Sequence, residues 1–440
     1  MRVVSRFFGV LLGTFLLSAC GNDADQSAAV TEPVVPPEQP ALTVSAGAAS
    51  ADISPATGAY IAGDARNRRF AGVHDPLFAK AVVLTDGKMS YAIVTLDNIG
   101  LNRGDIELIR ARAVAASALP GLRPEHILVS STHTHSGPDV VGLWGPDEMT
   151  SGRDQAYVDF LINTAADQVV AAGDRLKPVQ LRVASGEHDL GWVTNVTEPG
   201  LIDRQMGVLQ FVGSDGLAIA TLVNFACHPT VMDAASDQVS SDYVGGFYSA
   251  MAKAVPGEHL FLQGAIGGWV QPDKRDQSFS RAEGYGEAVA AKALELLKSA
   301  DSDPAPRLRA ARHEFLVPLE NPGFNALLEA GVLRRTLEEG RLRTEVALLE
   351  IGPAVLVTHP GETSPQHGLD TRALIGRRHS FVLGLTGDAL GYILKPEYFA
   401  PGAPFPSADY LTATSISPSI APLMMSAVER LVRDSLAPAQ

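Results

Sequence analysis

Beyond about residue 45, largely apolar runs alternate with stretches in which apolar residues recur every three or four positions. Ala79–Leu84 and Tyr91–Leu96 are such runs, separated by Thr85-Asp86-Gly87-Lys88, the signature of a β-hairpin. Glu345–Glu350 and Ala354–Thr358 flank Gly352-Pro353 in the same way. Asp105–Ala118, Asp154–Val170, Tyr243–Ala254 and Ser280–Ser299 carry helical spacing. Helices, hairpins and buried runs together predict an α/β protein, with a mixed β-sheet core and flanking helices in a single large catalytic domain.

The first residues follow a different pattern. Arg2 and Arg6 precede an apolar run, Phe7–Leu17, which is too short for the ~20 residues of a membrane-spanning helix. The run leads into Leu17-Ser18-Ala19-Cys20. Charge, apolar core, small residues and cysteine in that order resemble a bacterial lipoprotein signal. The expectation is removal of residues 1–19 and lipidation of Cys20. The chain would then sit in the bacterial cell envelope, held at the membrane by its N-terminal lipid. Gly21 after the cysteine favours the outer membrane if the source is Gram-negative. Residues 20–44, with Pro33, Pro36, Pro37 and Pro40 and few large apolar groups, read as a flexible lipidated tether. Residues 45–440 then form the folded domain.

Charge narrows the partners. The chain has 35 Lys and Arg against 49 Asp and Glu, a formal charge of -14 that becomes -16 once Arg2 and Arg6 leave with the signal. That excess of negative charge excludes a nucleic-acid binder of the whole-surface kind. Two cysteines cannot build a disulfide scaffold, and lipidation of Cys20 leaves Cys227 as a lone thiol, expected to pack in a strand.

The chemistry lies after the apolar runs. Ile127-Leu128-Val129 leads to Thr132-His133-Thr134-His135-Ser136-Gly137-Pro138, and Ala218–Ala226 leads to Cys227-His228-Pro229-Thr230. Val355-Leu356-Val357 leads to His359-Pro360-Gly361-Glu362, and Phe381–Leu385 leads to Thr386-Gly387-Asp388 and then Gly391-Tyr392. In α/β folds ligands gather beyond strand carboxyl ends, so these four ends predict one convergent site. Four of the 11 histidines lie in these segments. His133 and His135 are two apart, and in extended backbone both would face one cavity. Imidazoles with a carboxylate are suitable zinc ligands, and zinc would ionise a bound water near neutral pH. Gly264-Ala265-Ile266-Gly267-Gly268 lacks the ending of a phosphate loop and reads as a tight turn.

The blocks Thr132–Pro138, Asn224–Thr230, Pro360–Glu362 and Gly391-Tyr392 resemble, in order, the motifs of the neutral/alkaline non-lysosomal ceramidases, over about residues 45–435. The resemblance is to the N-terminal catalytic domain, in a short form lacking the C-terminal immunoglobulin-like domain. It implies a zinc-dependent amidohydrolase in which a metal-activated water cleaves an N-acyl bond. His133, His228, Glu362 and Tyr392 match the family's metal group. His135 matches the histidine that faces substrate, where it stabilises the oxyanion or moves protons. Asp242 matches a supporting aspartate, and Ile202-Asp203 fits the same pattern.

Two positions depart from the family. Gln271, in Gly268–Asp273, stands where the family has a serine that contacts the scissile amide; it is taken as a hydrogen-bond donor at the catalytic site. Asn195–Pro199 lacks the family's active-site arginine. The expected substrate is accordingly an N-acylated or other lipid-like small molecule, with a related ester or lactone as alternatives to a ceramide-like amide. A degenerate surface lipoprotein that binds lipid or protein without turnover is the non-enzymatic alternative. Trp144 and Trp269 are candidates for an apolar wall along an acyl chain.

Overall fold

The computed structural model describes residues 43–436, all within one compact unit spanning Pro40–Gln440. The predicted signal, Cys20 and nearly all of the tether lie outside the described residues. Eight strands build the first sheet: β1 (Val44–Asp52), β2 (Phe78–Thr85), β3 (Ser90–Leu96), β4 (Ile127–Ser131), β5 (Lys177–Glu187), β6 (Gln205–Gly213), β7 (Ala218–Phe225) and β8 (Glu258–Gln263). Their order is β8-β7-β6-β5-β1-β2-β3-β4, with the short strand Asp301–Asp303 alongside β5. The end pairs β7/β8 and β3/β4 are parallel and the pairs between them antiparallel. A second mixed sheet orders β9 (Leu308–Pro318), β10 (Arg341–Ile351), β11 (Ala354–Thr358) and β12 (His379–Leu383), the last pair parallel.

The apolar runs are long because both faces of each strand are buried. Along β2, Ala81 and Val83 face helices α1 (Arg103–Ala116) and α2 (Gln155–Gly173), while Val82 and Leu84 join the layer between the two sheets. Leu209, Leu222 and Leu260 of the first sheet meet Leu349, Leu356 and Phe381 of the second in that inner layer. Helices α3 (Tyr243–Ala254) and α4 (Phe279–Leu297) cover β6–β8. Among the later helices, α5 (Pro322–Glu329), α6 (Pro365–Ile375), α7 (Ala408–Ala413) and α8 (Ile420–Ser435), α8 packs its apolar stripe on the outer face of the second sheet. Among the described residues no helix is long and apolar enough to cross a membrane.

The four periodic stretches are helices: Tyr243–Ala254 has the expected bounds, and the ends of the other three shift by one to three residues. Asp154 accounts for one of those shifts, because it accepts backbone N–H bonds as an N-cap rather than entering its helix. Helices α5 to α8 go beyond what the sequence pattern predicts.

Both edges of the first sheet reach the parallel edge of the second. Ser131 N donates to Leu385 O (3.1 Å) and Gly387 N to Val129 O (3.0 Å), joining β4 to the chain leaving β12. Gly384 N donates to Gln263 O (3.0 Å), bringing the end of β8 to the same place. Buried Asn224 adds a cross-sheet tie, its Nδ2 donating to Leu262 O and Val382 O, each at 3.0 Å. The carboxyl ends of β4, β7, β11 and β12 therefore open onto one seam.

Candidate metal centre

His133, His135, His228, Glu362 and Tyr392 all lie on this seam. The reason His133 and His135 converge differs from the sequence expectation. β4 ends at Ser131, and His133 adopts a left-handed backbone (φ 71°), so the pair meets through a bend and not through the alternation of an extended strand. Such a conformation costs on the order of 1 kcal/mol or more in a non-glycine residue and persists only where its surroundings enforce it. Here His133 N donates to Asn98 O (2.9 Å) and the His133 ring bonds Ile99 O. Glu362 and Tyr392 come together differently, as paired residues of two short parallel strands, Glu362–Thr363 and Tyr392–Ile393.

The ring nitrogens are oriented by the backbone. His133 Nδ1 lies 2.5 Å from Ile99 O and His228 Nδ1 2.7 Å from Val270 O, so each donates its Nδ1–H and turns Nε2 inward. His133 Nε2 and His228 Nε2 lie 3.3 and 3.1 Å from Glu362 Oε2. His135 Nε2 is 3.3 Å from His133 Nε2. Burial would raise the Glu362 carboxyl, but the His133 and His228 imidazoles override it and hold the group far below the usual carboxylate range. Burial, reinforced by His133, lowers His228 and favours its neutral ring. Tyr392 is pushed well above an ordinary phenol by burial and by Glu362, and stays an O–H donor.

These donors fit zinc. Metal–ligand bonds of ~2.0–2.1 Å in a tetrahedron separate adjacent donors by about 3.3 Å, the spacing seen around Glu362 Oε2. Inward-facing imidazole lone pairs beside a carboxylate form a charge arrangement that a cation resolves. The three histidines also group within metal-holding distance of one another.

Two further residues hold the centre together, of which the sequence singles out only Gly267, as part of a tight turn. Gln263, fully buried at the end of β8, donates to Thr132 O (3.0 Å) and Cys227 O (2.9 Å) and accepts from Gly264 N (3.0 Å). One side chain thus ties the segments carrying His133 and His228. Gln263→Leu would strand those buried groups and is expected to cost about 3 kcal/mol, measured by denaturant unfolding. The second is Gly267, whose N–H donates to Thr363 O (2.7 Å) and where a Cβ would fall 2.3 Å from Glu362 O. Gly267→Ala must displace the Glu362 strand and is expected to weaken zinc binding at least about tenfold in a chelator competition. The Gly264–Gly268 segment is accordingly a tight turn, one that allows close backbone approach.

A cavity of about 130 Å³ opens onto the centre. His133, His135, Glu362 and Tyr392 line one side, and Val141, Leu143, Leu328, Leu333, Leu390 and Ile416 make much of the remainder apolar. Trp144 lines this cavity, whereas Trp269 packs against Tyr410, with ring centroids 5.4 Å apart. Gln271 lies in the short strand Val270–Pro272, opposite Thr194, and does not line the cavity. The carbonyl of the adjacent Val270 accepts from the outer nitrogen of His228. Asp242 caps α3 and accepts from Met232 N (2.9 Å), supporting the loop after His228 without touching the metal group. Asp203 pairs with Arg372 at 2.9 Å. Cys227 packs in the core, and burial raises its thiol. His359 is enclosed by the hydroxyls of Thr363 and Thr371, each at 3.0 Å.

Residues 45–280, more than half of the chain, match the family model described as neutral/alkaline non-lysosomal ceramidase, N-terminal. The chain belongs to this family. Among curated ceramidases, the neutral ceramidase of Pseudomonas aeruginosa is 24% identical over 192 residues, 40% of this chain and 28% of that protein. Neutral ceramidase B of Dictyostelium discoideum is 24% identical over 193 residues, 40% of this chain and 26% of that protein. The aligned stretch thus spans little more than a quarter of either relative. The crystal structure of the Pseudomonas aeruginosa neutral ceramidase superposes with a TM-score of 0.73 at 20% identity, covering 90% of this chain and 77% of that one. A ceramidase complexed with C2 gives 0.74 at 19% identity, over 91% and 76%. The mixed α/β architecture is that of the neutral ceramidases.

Proposed function

We propose that the chain is a zinc-dependent hydrolase that cleaves the N-acyl bond of a lipid-like substrate. The observation that carries this reading is the grouping of His133 and His228 around Glu362, with His133, Glu362 and the neighbouring Tyr392 lining a largely apolar cavity. Those residues would hold the ion, which when bound supplies Lewis acidity and an activated water. The apolar wall would take the acyl chain and exclude water from the reacting carbonyl. Tyr392, kept protonated, would donate to the carbonyl oxygen as negative charge develops there. His135 would take the proton from the nucleophile and return it to the leaving amine.

A glutamine at position 271 separates this chain from the family's serine-containing pattern and supports a substrate other than ceramide itself. The test is turnover on a panel of ceramides, other N-acyl amines, esters and lactones, before and after chelation and zinc restoration. Amide cleavage lost on chelation and restored by zinc is expected. A zinc-loaded protein inert on the whole panel would favour a non-enzymatic lipid-binding lipoprotein. Lipidation at Cys20 and an envelope location belong to the same proposal. Metabolic palmitate labelling should mark the wild type but not Cys20→Ser; equal labelling of the two would reject that anchor.

A further inference from the structure

We propose that Asp233, held in place by Lys274, is the positioning residue for His135. The inference rests on the role given above to His135, but its structural half can be tested without turnover. The His135 ring has two sides. Its Nε2 side faces the metal group, 3.3 Å from His133 Nε2. Its Nδ1 is buried and without a hydrogen-bond partner among the described residues. Facing it at 3.7 Å is Asp233 Oδ1, also buried and unpartnered. A nitrogen able to donate and a carboxylate oxygen able to accept thus confront each other, about 1 Å beyond a charge-assisted hydrogen bond.

The surroundings hold that pairing from several directions. The other Asp233 oxygen is ion-paired with Lys274, on the segment just after Gln271 and Asp273. Asp233 sits in a left-handed conformation (φ 41°), and Asp242 anchors the preceding Met232 N–H at 2.9 Å. Non-glycine residues keep such conformations where neighbouring structure over-determines them, typically at functional sites. Gly63 closes against the same edge of the ring, since a Cβ there would lie 2.5 Å from His135 Nδ1. Asp64 lies beside Asp233; burial and the Asp233 carboxylate raise its carboxyl to about 7, which Lys274 and Arg68, the latter at 3.7 Å, offset only in part.

Asp64, His135 and Asp233 also lie close enough together to hold a cation. Lys274 and Arg68 already supply two positive charges to those two carboxylates, which argues against a second ion. With Asp233 accepting from Nδ1–H, the His135 Nε2 lone pair is directed at the reacting centre, and the carboxylate steadies the imidazolium formed when the proton arrives. Histidines in active sites are commonly fixed this way by a carboxylate.

The experiment compares wild type, Asp233→Asn, Asp233→Glu and Lys274→Met as full chains. Histidine ¹⁵N NMR of the zinc-loaded protein, in which the His133 Nε2 lone pair is taken up by the ion, should show His135 protonated on Nδ1 in wild type and a shifted tautomer balance in Asp233→Asn. On the zinc-loaded protein, Asp233→Asn should lower kcat about 10–100-fold. KM, zinc content and Tm should stay near wild type, with partial recovery in Asp233→Glu and a smaller loss in Lys274→Met. An unchanged His135 tautomer in Asp233→Asn would overturn the proposal, as would a second equivalent of zinc present in wild type and lost in that variant. If no substrate is turned over, the proposed activity fails, while the tautomer measurement still decides the part played by Asp233.

Discussion

His228→Ala and His133→Ala are each expected to purify without zinc where the wild type carries one equivalent, and to lose hydrolysis of any substrate the wild type cleaves. Each imidazole is a preset donor, its outer nitrogen bound to a backbone carbonyl and its inner nitrogen near Glu362. Removing one leaves too few protein donors for a catalytic zinc site, which uses three and an open position. Elemental analysis of the purified variants checks the metal and the substrate panel checks turnover. Cys227→Ala is the control: the thiol packs among apolar side chains and bonds only the neighbouring His228 carbonyl, so zinc should be retained. Stoichiometric zinc in either histidine variant would overturn the assignment.

What could be read in advance depended on how local the signal was. Strands buried on both faces leave unbroken apolar runs, so β2, β3, β7 and β11 and the polar segments following them were legible residue by residue. The arrangement of two sheets meeting edge to edge was not, because it depends on ties such as Asn224 to Val382 and Gly384 to Gln263, far apart in sequence. His133 is a clear case: its membership in the seam follows from its position after β4, but its left-handed turn depends on Asn98 and Ile99. Gln271 is another such case: a motif position marks it, but its pairing with Thr194, which sets where it stands, depends on a strand far away in sequence. Gln263 and Asp233 carry no recognisable spacing, and only tertiary contacts identify them.

The second large effect is on stability and lies away from the cavity. Glu345→Ala is expected to destabilise the fold by roughly 3–5 kcal/mol, the usual consequence of leaving a buried charge without its partner. Glu345 on β10 is fully buried and bonds Arg110 of α1 at 2.6 Å and Arg312 of β9 at 3.1 Å. Arg110 is itself buried and donates through Nε to Ile127 O (2.9 Å), at the start of β4. The pair therefore fastens the helix layer of the first sheet, and the strand leading to His133, to the second sheet. Glu345 also lies directly opposite Glu314 across β9 and β10, a like-charge pairing that the surrounding arginines make tolerable. Removing Glu345 leaves Arg110 with Glu107, which is partly exposed, as its remaining carboxylate partner. Denaturant unfolding should show the loss largely unchanged between low and high salt, because the pair is shielded from solvent ions. The double variant Arg110→Met/Glu345→Leu should recover much of the stability, since replacing both charges removes the desolvation penalty together with the attraction. A loss below about 1 kcal/mol in Glu345→Ala, the range of an exposed ion pair, would show that the network does not hold the two layers together.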